Sequence, residues 1–181
     1  DSIFTGIIAS TSMFASSRQE LEEAMDHIKR SVRFASDEAI LRGRVIRIHI
    51  DLDTRPQTMK VEYGPDESFI LPSFLQDDIS KLSLIEKEER GKKEKKLSQS
   101  FAPVKEFQEA AYKLNPNVLI VGIGTSLTST HFVEGAISIF FYPTGEKDSG
   151  HITFSAGSEI STISFEAYTN KQEENFYPIT E

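Results

Sequence analysis

The sequence predicts an α+β fold in which an N-terminal amphipathic helix packs on antiparallel β-sheets. Three observations support this fold class. Residues 17–42 carry an apolar stripe at helical spacing, Arg42-Gly43 forms a helix stop that an alternating strand follows, and the last third of the chain is rich in strand-like segments. We interpret residues 1–181 as a single domain, with a β-rich part over residues 45–181.

Composition limits the class of protein. The chain has 181 residues, of which 38% are hydrophobic and 27% charged, as is ordinary for a soluble globular domain with a core. Its net charge of −8 disfavours phosphate backbones, so no nucleic-acid partner is expected. Cysteine is absent, which excludes disulfides, cysteine-based zinc sites and thiol nucleophiles. No segment reaches the roughly 18 apolar residues that a membrane-spanning helix needs.

The opening helix is predicted over residues 17–42. Ser17 and Glu20 have the spacing of a capping box, which predicts a helix start at Ser17 and leaves residues 1–15 poorly specified. Gly43 is placed to end the helix as its C′ residue. The apolar stripe predicts a packing face made of Leu21, Met25, Ile28, Val32, Ala35 and Ala39.

A β-hairpin is predicted next. Residues 45–51 and 59–63 alternate between apolar and polar side chains, as half-buried strands do. Asp51 and Asp53 between them lack the glycine and distal glutamate of an EF-hand loop, so we interpret them as capping their own backbone rather than binding calcium. Residues 69–74 could form a short edge strand.

A charged insertion is predicted at about residues 76–100. Ten of the eleven residues from Glu86 to Lys96 are charged, with a net charge of +2. A solvated helix or mobile loop is the interpretation we favour, and a docking patch for an acidic partner is the alternative. Residues 101–114 then predict a short helix with one apolar side, formed by Val104, Phe107, Ala111 and Leu114.

The last third predicts further strands. Residues 117–122 and 135–142 have the apolar character of buried strands, and residues 143–150 have the composition of a turn. Residues 151–155 and 160–168 alternate well enough to pair as a second hairpin. The polar, acidic tail after Asn170 is expected to fray.

No motif indicates catalysis. The Gly122-x-Gly124 sequence lacks the third glycine of a dinucleotide fingerprint, and no serine lies in an activating context. We therefore predict no enzyme activity, catalytic residue, cofactor or metal ligand. None of the four histidines has the spacing of a metal site, and all are interpreted as surface or rim residues: His27, His49, His131 and His151.

Two segments carry a family resemblance. Residues 33–48, RFASDEAILRGRVIRI, join a helix end to a strand, and residues 139–154, IFFYPTGEKDSGHITF, join a strand to a turn and a hairpin. In this order they resemble the GspH/FimT family, the H-type minor pseudopilins of bacterial type II secretion and their type IV pilus relatives. The resemblance covers residues 17–50 and 137–168.

The resemblance implies a pilin-like fold and a structural function. The chain would be a minor pseudopilin that assembles with other pseudopilins near the filament tip and helps to drive protein export across the outer membrane. Its partners would be major and minor pseudopilins, with the secreted substrate as a further candidate. It would be the periplasmic domain of a bacterial protein anchored in the inner membrane, without enzyme activity.

The sequence departs from the family at two points. Residues 1–15 match the family's hydrophobic N-terminal helix poorly, so we expect that helix to be removed, with Asp1 a cut end, and membrane contact to occur only through the missing helix. The charged insertion is longer than the family leads us to expect. Two alternatives remain open: a FimT-like type IV pilus minor pilin with possible DNA binding, and a secreted β-rich ligand-binding or hydrolase domain.

Overall fold

One long helix and two antiparallel sheets dominate the computed structural model, which describes the backbone of residues 2–166 and 172–178 and the side chains of residues 16–128 and 130–166. The predicted α+β class is therefore confirmed. The helices are α1 (Ser2–Arg42) and α2 (Leu84–Gln99). The strands are β1 (Ile46–Asp51), β2 (Thr58–Tyr63), β3 (Ala102–Pro103), β4 (Tyr112–Lys113), β5 (Leu119–Thr125), β6 (Thr128–Phe132), β7 (Ala136–Phe141), β8 (Gly150–Ala156), β9 (Glu159–Phe165) and β10 (Gln172–Pro178).

Along the chain, the strands alternate between two sheets. The first sheet has the order β3-β2-β1-β7, with β4 also paired to β2, and the second has the order β10-β9-β8-β5-β6. Both predicted hairpins form, since β1 pairs antiparallel with β2 and β8 pairs antiparallel with β9. Because β7 returns to the first sheet between β6 and β8, neither sheet is a separate unit of sequence.

Helix α1 packs on both sheets through its apolar stripe. Burying an aliphatic side chain of this size contributes about 1.5–3 kcal/mol, so the stripe is a major source of stability. Its partners in the same core are inward-facing residues of both sheets, including Ile48, Ile139 and Phe154. All six residues of the predicted packing face are 0% exposed: Leu21, Met25, Ile28, Val32, Ala35 and Ala39.

The start of α1 differs from the prediction. The helix begins at Ser2, so Ser17 lies inside it and does not cap it. Extending an existing helix adds one hydrogen bond per residue without a second nucleation, and this outweighs the local capping signal. Ser17 instead lies beside the β8–β9 turn, where a Cβ built on Gly157 would be 3.1 Å from its Oγ. Within the described residues, no helix combines the length and apolarity needed to cross a membrane.

The end of α1 confirms the prediction. Gly43 has a φ of +63°, a conformation that glycine adopts without strain. The Arg44 backbone N–H donates to the Ala39 carbonyl at 3.2 Å, the six-to-one hydrogen bond of a Schellman motif. This turn leads the chain directly into β1.

Two predictions between residues 69 and 114 are wrong. Residues 69–72 have no regular structure, and Ser73–Gln76 form a 3-10 helix that begins after Pro72. Residues 101–114 form β3, a turn and β4 instead of a helix. Backbone bonds to β2 and to the loop before it replace helical bonds here: Val104 N–H donates to the Val61 carbonyl at 3.0 Å, and Leu114 N–H to the Gln57 carbonyl at 2.9 Å.

The end of the chain is more ordered than predicted. Strand β10 pairs with β9 over its full length, so the expected fraying is wrong for residues 172–178. The edge of β9 offers unpaired backbone groups, and β10 forms hydrogen bonds with them although its own sequence is polar. The predicted extension of β9 to Tyr168 and the outermost part of the tail fall on residues 167–171 and 179–181, which lie outside the described residues.

Candidate functional site

A cleft of about 470 Å³ lies on the face of the first sheet that points away from α1. Strand alternation creates this face, because Ile46, Ile48 and Ile50 of β1 point into the core while Arg47 and His49 point outward. Helix α2 and the β5–β6 hairpin form the walls of the cleft, and β1 and β7 form its floor.

The floor carries a hydrogen-bonded polar pair. His49 and Ser138 are direct neighbours across β1 and β7, and His49 Nδ1 lies 2.9 Å from Ser138 Oγ. Burial, together with the positive charges of Arg47 and Lys60, lowers the pKa of His49 to about 4, against the opposing effect of Asp51. The His49 ring is therefore neutral at pH 7 and exchanges one hydrogen bond with the serine hydroxyl.

A buried ion pair fixes one wall. Arg47 and Glu62 are 3% and 6% exposed, and Arg47 donates to Glu62 Oε1 through Nη2 at 2.7 Å and Nε at 3.0 Å. The same guanidinium donates to Ser98 Oγ at 2.9 Å and lies 4.1 Å from the Phe101 ring centroid. Arg47 therefore ties the end of α2 to the sheet, with its charge already matched by Glu62.

The sequence favoured a solvated helix or a mobile loop for the charged insertion. The structure shows the helix, α2, which has no buried residue. It begins with a reciprocal capping box in which Ser83 and Glu86 exchange hydrogen bonds of 3.2 Å. Arg90 donates to the carbonyls of Phe74 and Leu75, and also to Glu94 Oε1 at 2.8 Å. The cleft wall is thus held by polar contacts to the preceding 3-10 helix.

His27 is not the surface residue that the sequence predicted. It is 8% exposed and stacks on Tyr112, with ring centroids 3.7 Å apart. Burial lowers its pKa to about 4, with a smaller contribution from the charge of Arg30. Its position one residue before Ile28 on the apolar side of α1 is the signal that could have revealed this burial.

The other two histidines meet on the second sheet. His131 on β6 and His151 on β8 are both direct neighbours of Gly124 on the intervening strand β5. Their ring centroids are 5.4 Å apart, and the rings are nearly parallel. The Gly122-x-Gly124 sequence therefore lies inside a strand, where it leaves room for imidazole rings and does not form a phosphate loop.

The prediction that the loop aspartates cap their own backbone is confirmed for Asp51, whereas Asp53 accepts from a distant loop. Asp51 Oδ1 accepts from the Asp53 N–H at 2.9 Å, and Asp53 Oδ1 accepts from the Gly135 N–H at 3.0 Å. Both carboxylates therefore satisfy backbone groups, and Asp53 fixes the β1–β2 loop against the start of β7. In the described part of the chain, no group of three or more histidine, cysteine or acidic residues is arranged to hold a metal ion.

The lining of the cleft suits a molecule that has both polar and apolar surface. Its polar floor is flanked by apolar side chains from both walls, including Leu97, Leu127 and Phe132. Sequence analysis missed Ser138 as a site residue, although it is the polar residue that interrupts the apolar run of β7. It could not have found the walls, because α2 and the β5–β6 hairpin meet the floor only in the folded chain.

Comparison of the chain with models of known protein families, with curated proteins and with solved structures gave no match in any of the three.

Proposed function

We propose that this protein is a structural subunit of a pilin-like filament, a minor pseudopilin that acts with other pseudopilins in protein export. The observation that carries the proposal is helix α1, which begins at Ser2 and buries the stripe from Leu21 to Ala39 under the sheets. The Arg42-Gly43 turn into β1 and the two sequence motifs support the same proposal.

The contacts of α1 suit a filament stem. Arg18 reaches Glu159 of β9 at 3.4 Å, next to the point where Ser17 meets the β8–β9 turn. From Ser16 back to Ser2 the helix runs for about 22 Å. A subunit of this kind holds a rigid domain on a helical stem, because the stripe from Leu21 onward fixes the helix to both sheets.

In this proposal the protein works by packing and surface complementarity. Other pseudopilins contact the stem and the domain surface, and the secreted substrate is a further candidate partner. The domain lies in the periplasm, as part of a protein that is anchored in the inner membrane. The net charge of −8 makes the DNA-binding alternative weaker, and retention on DNA at moderate salt would restore it.

Cysteine cross-linking of the full gene product in its native host tests the proposal. The chain has no native cysteine, so Arg33→Cys places a single thiol on the exposed side of α1. We expect this variant to cross-link to other pilin-like proteins, identified by mass spectrometry, and to lose the adducts when the filament's assembly ATPase is deleted.

The matched control is Ala35→Cys on the buried side of the same helix, at a residue that is 0% exposed. It should form no adduct in the folded protein. An Arg33→Cys protein that is folded and abundant but forms no adduct with pilin-like proteins would count against the proposal. A gene with no prepilin leader and no apolar helix upstream of Asp1 would do the same.

The cleft favours a second candidate function, a ligand-binding domain. Its size falls within the range typical of small-molecule sites. A hydrolase is the weaker form of this candidate, because a histidine with a pKa of about 4 is a poor base for the Ser138 hydroxyl. Amide NMR with a fragment library tests it: a ligand should shift the resonances of β1, β7 and α2 together, and Ser138→Ala should weaken that binding.

A further inference from the structure

The paired histidines on the second sheet have no role in the proposed filament function. His131 is exposed and His151 half-buried, and both lie on the face of the sheet that points away from α1. The alternation of β8 sets this face, because Ile152 and Phe154 point into the core while His151 and Thr153 point outward. The pair is thus reachable from solvent.

Two glycines of β5 make the pair possible. A Cβ on Gly122 would overlap Nε2 of His131, and a Cβ on Gly124 would overlap Cε1 of His151. Neither glycine has a positive φ, so the backbone itself does not require glycine at these positions. The absence of side chains at both positions therefore serves the two imidazole rings, which reach over β5 from opposite sides.

The ring separation is slightly longer than that of two imidazoles on one metal ion. A metal–nitrogen bond of about 2.0–2.1 Å places each ring centroid about 3.2 Å from the metal, so two rings at tetrahedral or octahedral angles are about 4.5–5.2 Å apart. The observed separation is 5.4 Å. Metal binding requires the nearly parallel rings to turn about their side-chain torsions until one nitrogen of each faces a shared position, and Gly122 and Gly124 place no side chain in the way.

We propose that His131 and His151 form a two-histidine site for a divalent transition-metal ion such as zinc, nickel or copper, with water at the remaining positions. Neutral imidazole is a ligand that these ions prefer. The site is open, so a ligand from a partner molecule could replace water.

Calorimetric titration of the full chain with Zn²⁺ and with Ni²⁺ tests the site. We expect one equivalent of metal to bind, and His131→Gln and His151→Gln each to weaken binding at least about tenfold. Gly124→Ala is the sharper variant, because it keeps both histidines but forces the His151 ring to move. It should weaken binding several-fold while its thermal unfolding remains cooperative.

The matched control is Gly91→Ala in α2, where a Cβ meets no atom within 4 Å. It should bind metal as the wild type does. Nitrogen-15 NMR of the histidine rings gives a reading that needs no variant: zinc should shift the ring nitrogens of His131 and His151 and leave those of His27 and His49 unchanged. Metal affinity that is equal in the wild type, His131→Gln and His151→Gln would overturn the proposal, and so would unshifted His131 and His151 rings at saturating zinc.

Discussion

The two helices of this protein are held in place by different kinds of interaction. Helix α1 buries a continuous apolar stripe under both sheets, and its six central residues are fully buried. Helix α2, whose residues all belong to the described part of the chain, has no buried residue and is held by a capping box, the Arg90 contacts and the ion pair near Ser98. Removing α1 would remove the core, whereas removing α2 would open the cleft.

This difference indicates which helix can change position when a partner binds. A helix fixed by core packing moves only when the core repacks, because protein interiors are close-packed. A helix fixed by a few polar contacts and by one partly buried leucine, Leu97, can shift at a cost of a few kcal/mol at most. We therefore expect α1 to be the rigid stem and α2 the adaptable wall, and four experiments test this contrast in order of decreasing effect.

The same substitution on the two helices should give the largest contrast. Ile28→Ala on α1 removes a residue that is 0% exposed, and we expect it to lower the free energy of unfolding by about 2–5 kcal/mol. Ile85→Ala on α2 removes one that is 70% exposed and should change it by less than about 0.5 kcal/mol. Urea denaturation measures both, and equal losses would contradict the assignment of the two helices.

Lowering the pH should weaken the packing of α1, because the buried ring of His27 becomes protonated. Its pKa is about 4 in the folded state against 6.5 when unperturbed, so the unfolded chain binds more protons between these values and stability falls as pH drops through this window. His27→Phe keeps the stack on Tyr112 and removes the titration. We expect its free energy of unfolding to fall less than that of the wild type between pH 7 and pH 4, by on the order of 2–3 kcal/mol.

Thermal and urea unfolding across this pH range measure the effect. His49, whose pKa is also lowered, contributes a similar slope to both proteins and cancels in the comparison. Parallel pH profiles for the wild type and His27→Phe would show that the buried imidazole does not control the acid sensitivity of α1.

Loss of Arg90 should loosen α2 without affecting α1. Arg90→Gln removes the hydrogen bonds to the Phe74 and Leu75 carbonyls, and we expect a loss of about 1 kcal/mol. Hydrogen exchange should accelerate in residues 74–77 and in α2, while the amides of residues 21–39 keep their protection. Lys92→Gln, an exposed residue on the same helix, is the control and should leave both regions unchanged.

The smallest effect should come from Gly91, in the middle of α2. Alanine forms helix better than glycine by about 1 kcal/mol, and a Cβ at this position meets no atom within 4 Å. Gly91→Ala should therefore slow hydrogen exchange in α2, while the free energy of global unfolding changes by less than about 0.5 kcal/mol. Faster exchange in α2 would show that intrinsic helix propensity does not limit the stability of this helix.

The local features of this fold follow from the sequence because their causes are local. The stripe of α1, the Gly43 helix end and the two hairpins each rest on periodicity or turn chemistry within about thirty residues. The same reasoning failed where a distant strand offered better partners. Val104 has helical spacing with Phe107, yet its N–H bonds to the Val61 carbonyl in β2, and residues 101–114 extend along that strand.

The candidate site depends more strongly on tertiary structure. Nothing in the local sequence predicts that Ser98 would contact Arg47, or that Ser138 would lie opposite His49. The cleft exists only because α2 and the β5–β6 hairpin reach the same face of the first sheet.

The sequence by itself determined that this protein is a helix packed on antiparallel sheets, because side-chain periodicity decides which face of each element is apolar. Tertiary structure alone decided how the cleft is enclosed and which histidines meet. His131 and His151 are twenty residues apart and become neighbours only across Gly124. Strand order and register set such contacts. Both depend on the whole chain, because packing of the core decides which strand lies beside which and therefore pairs with it.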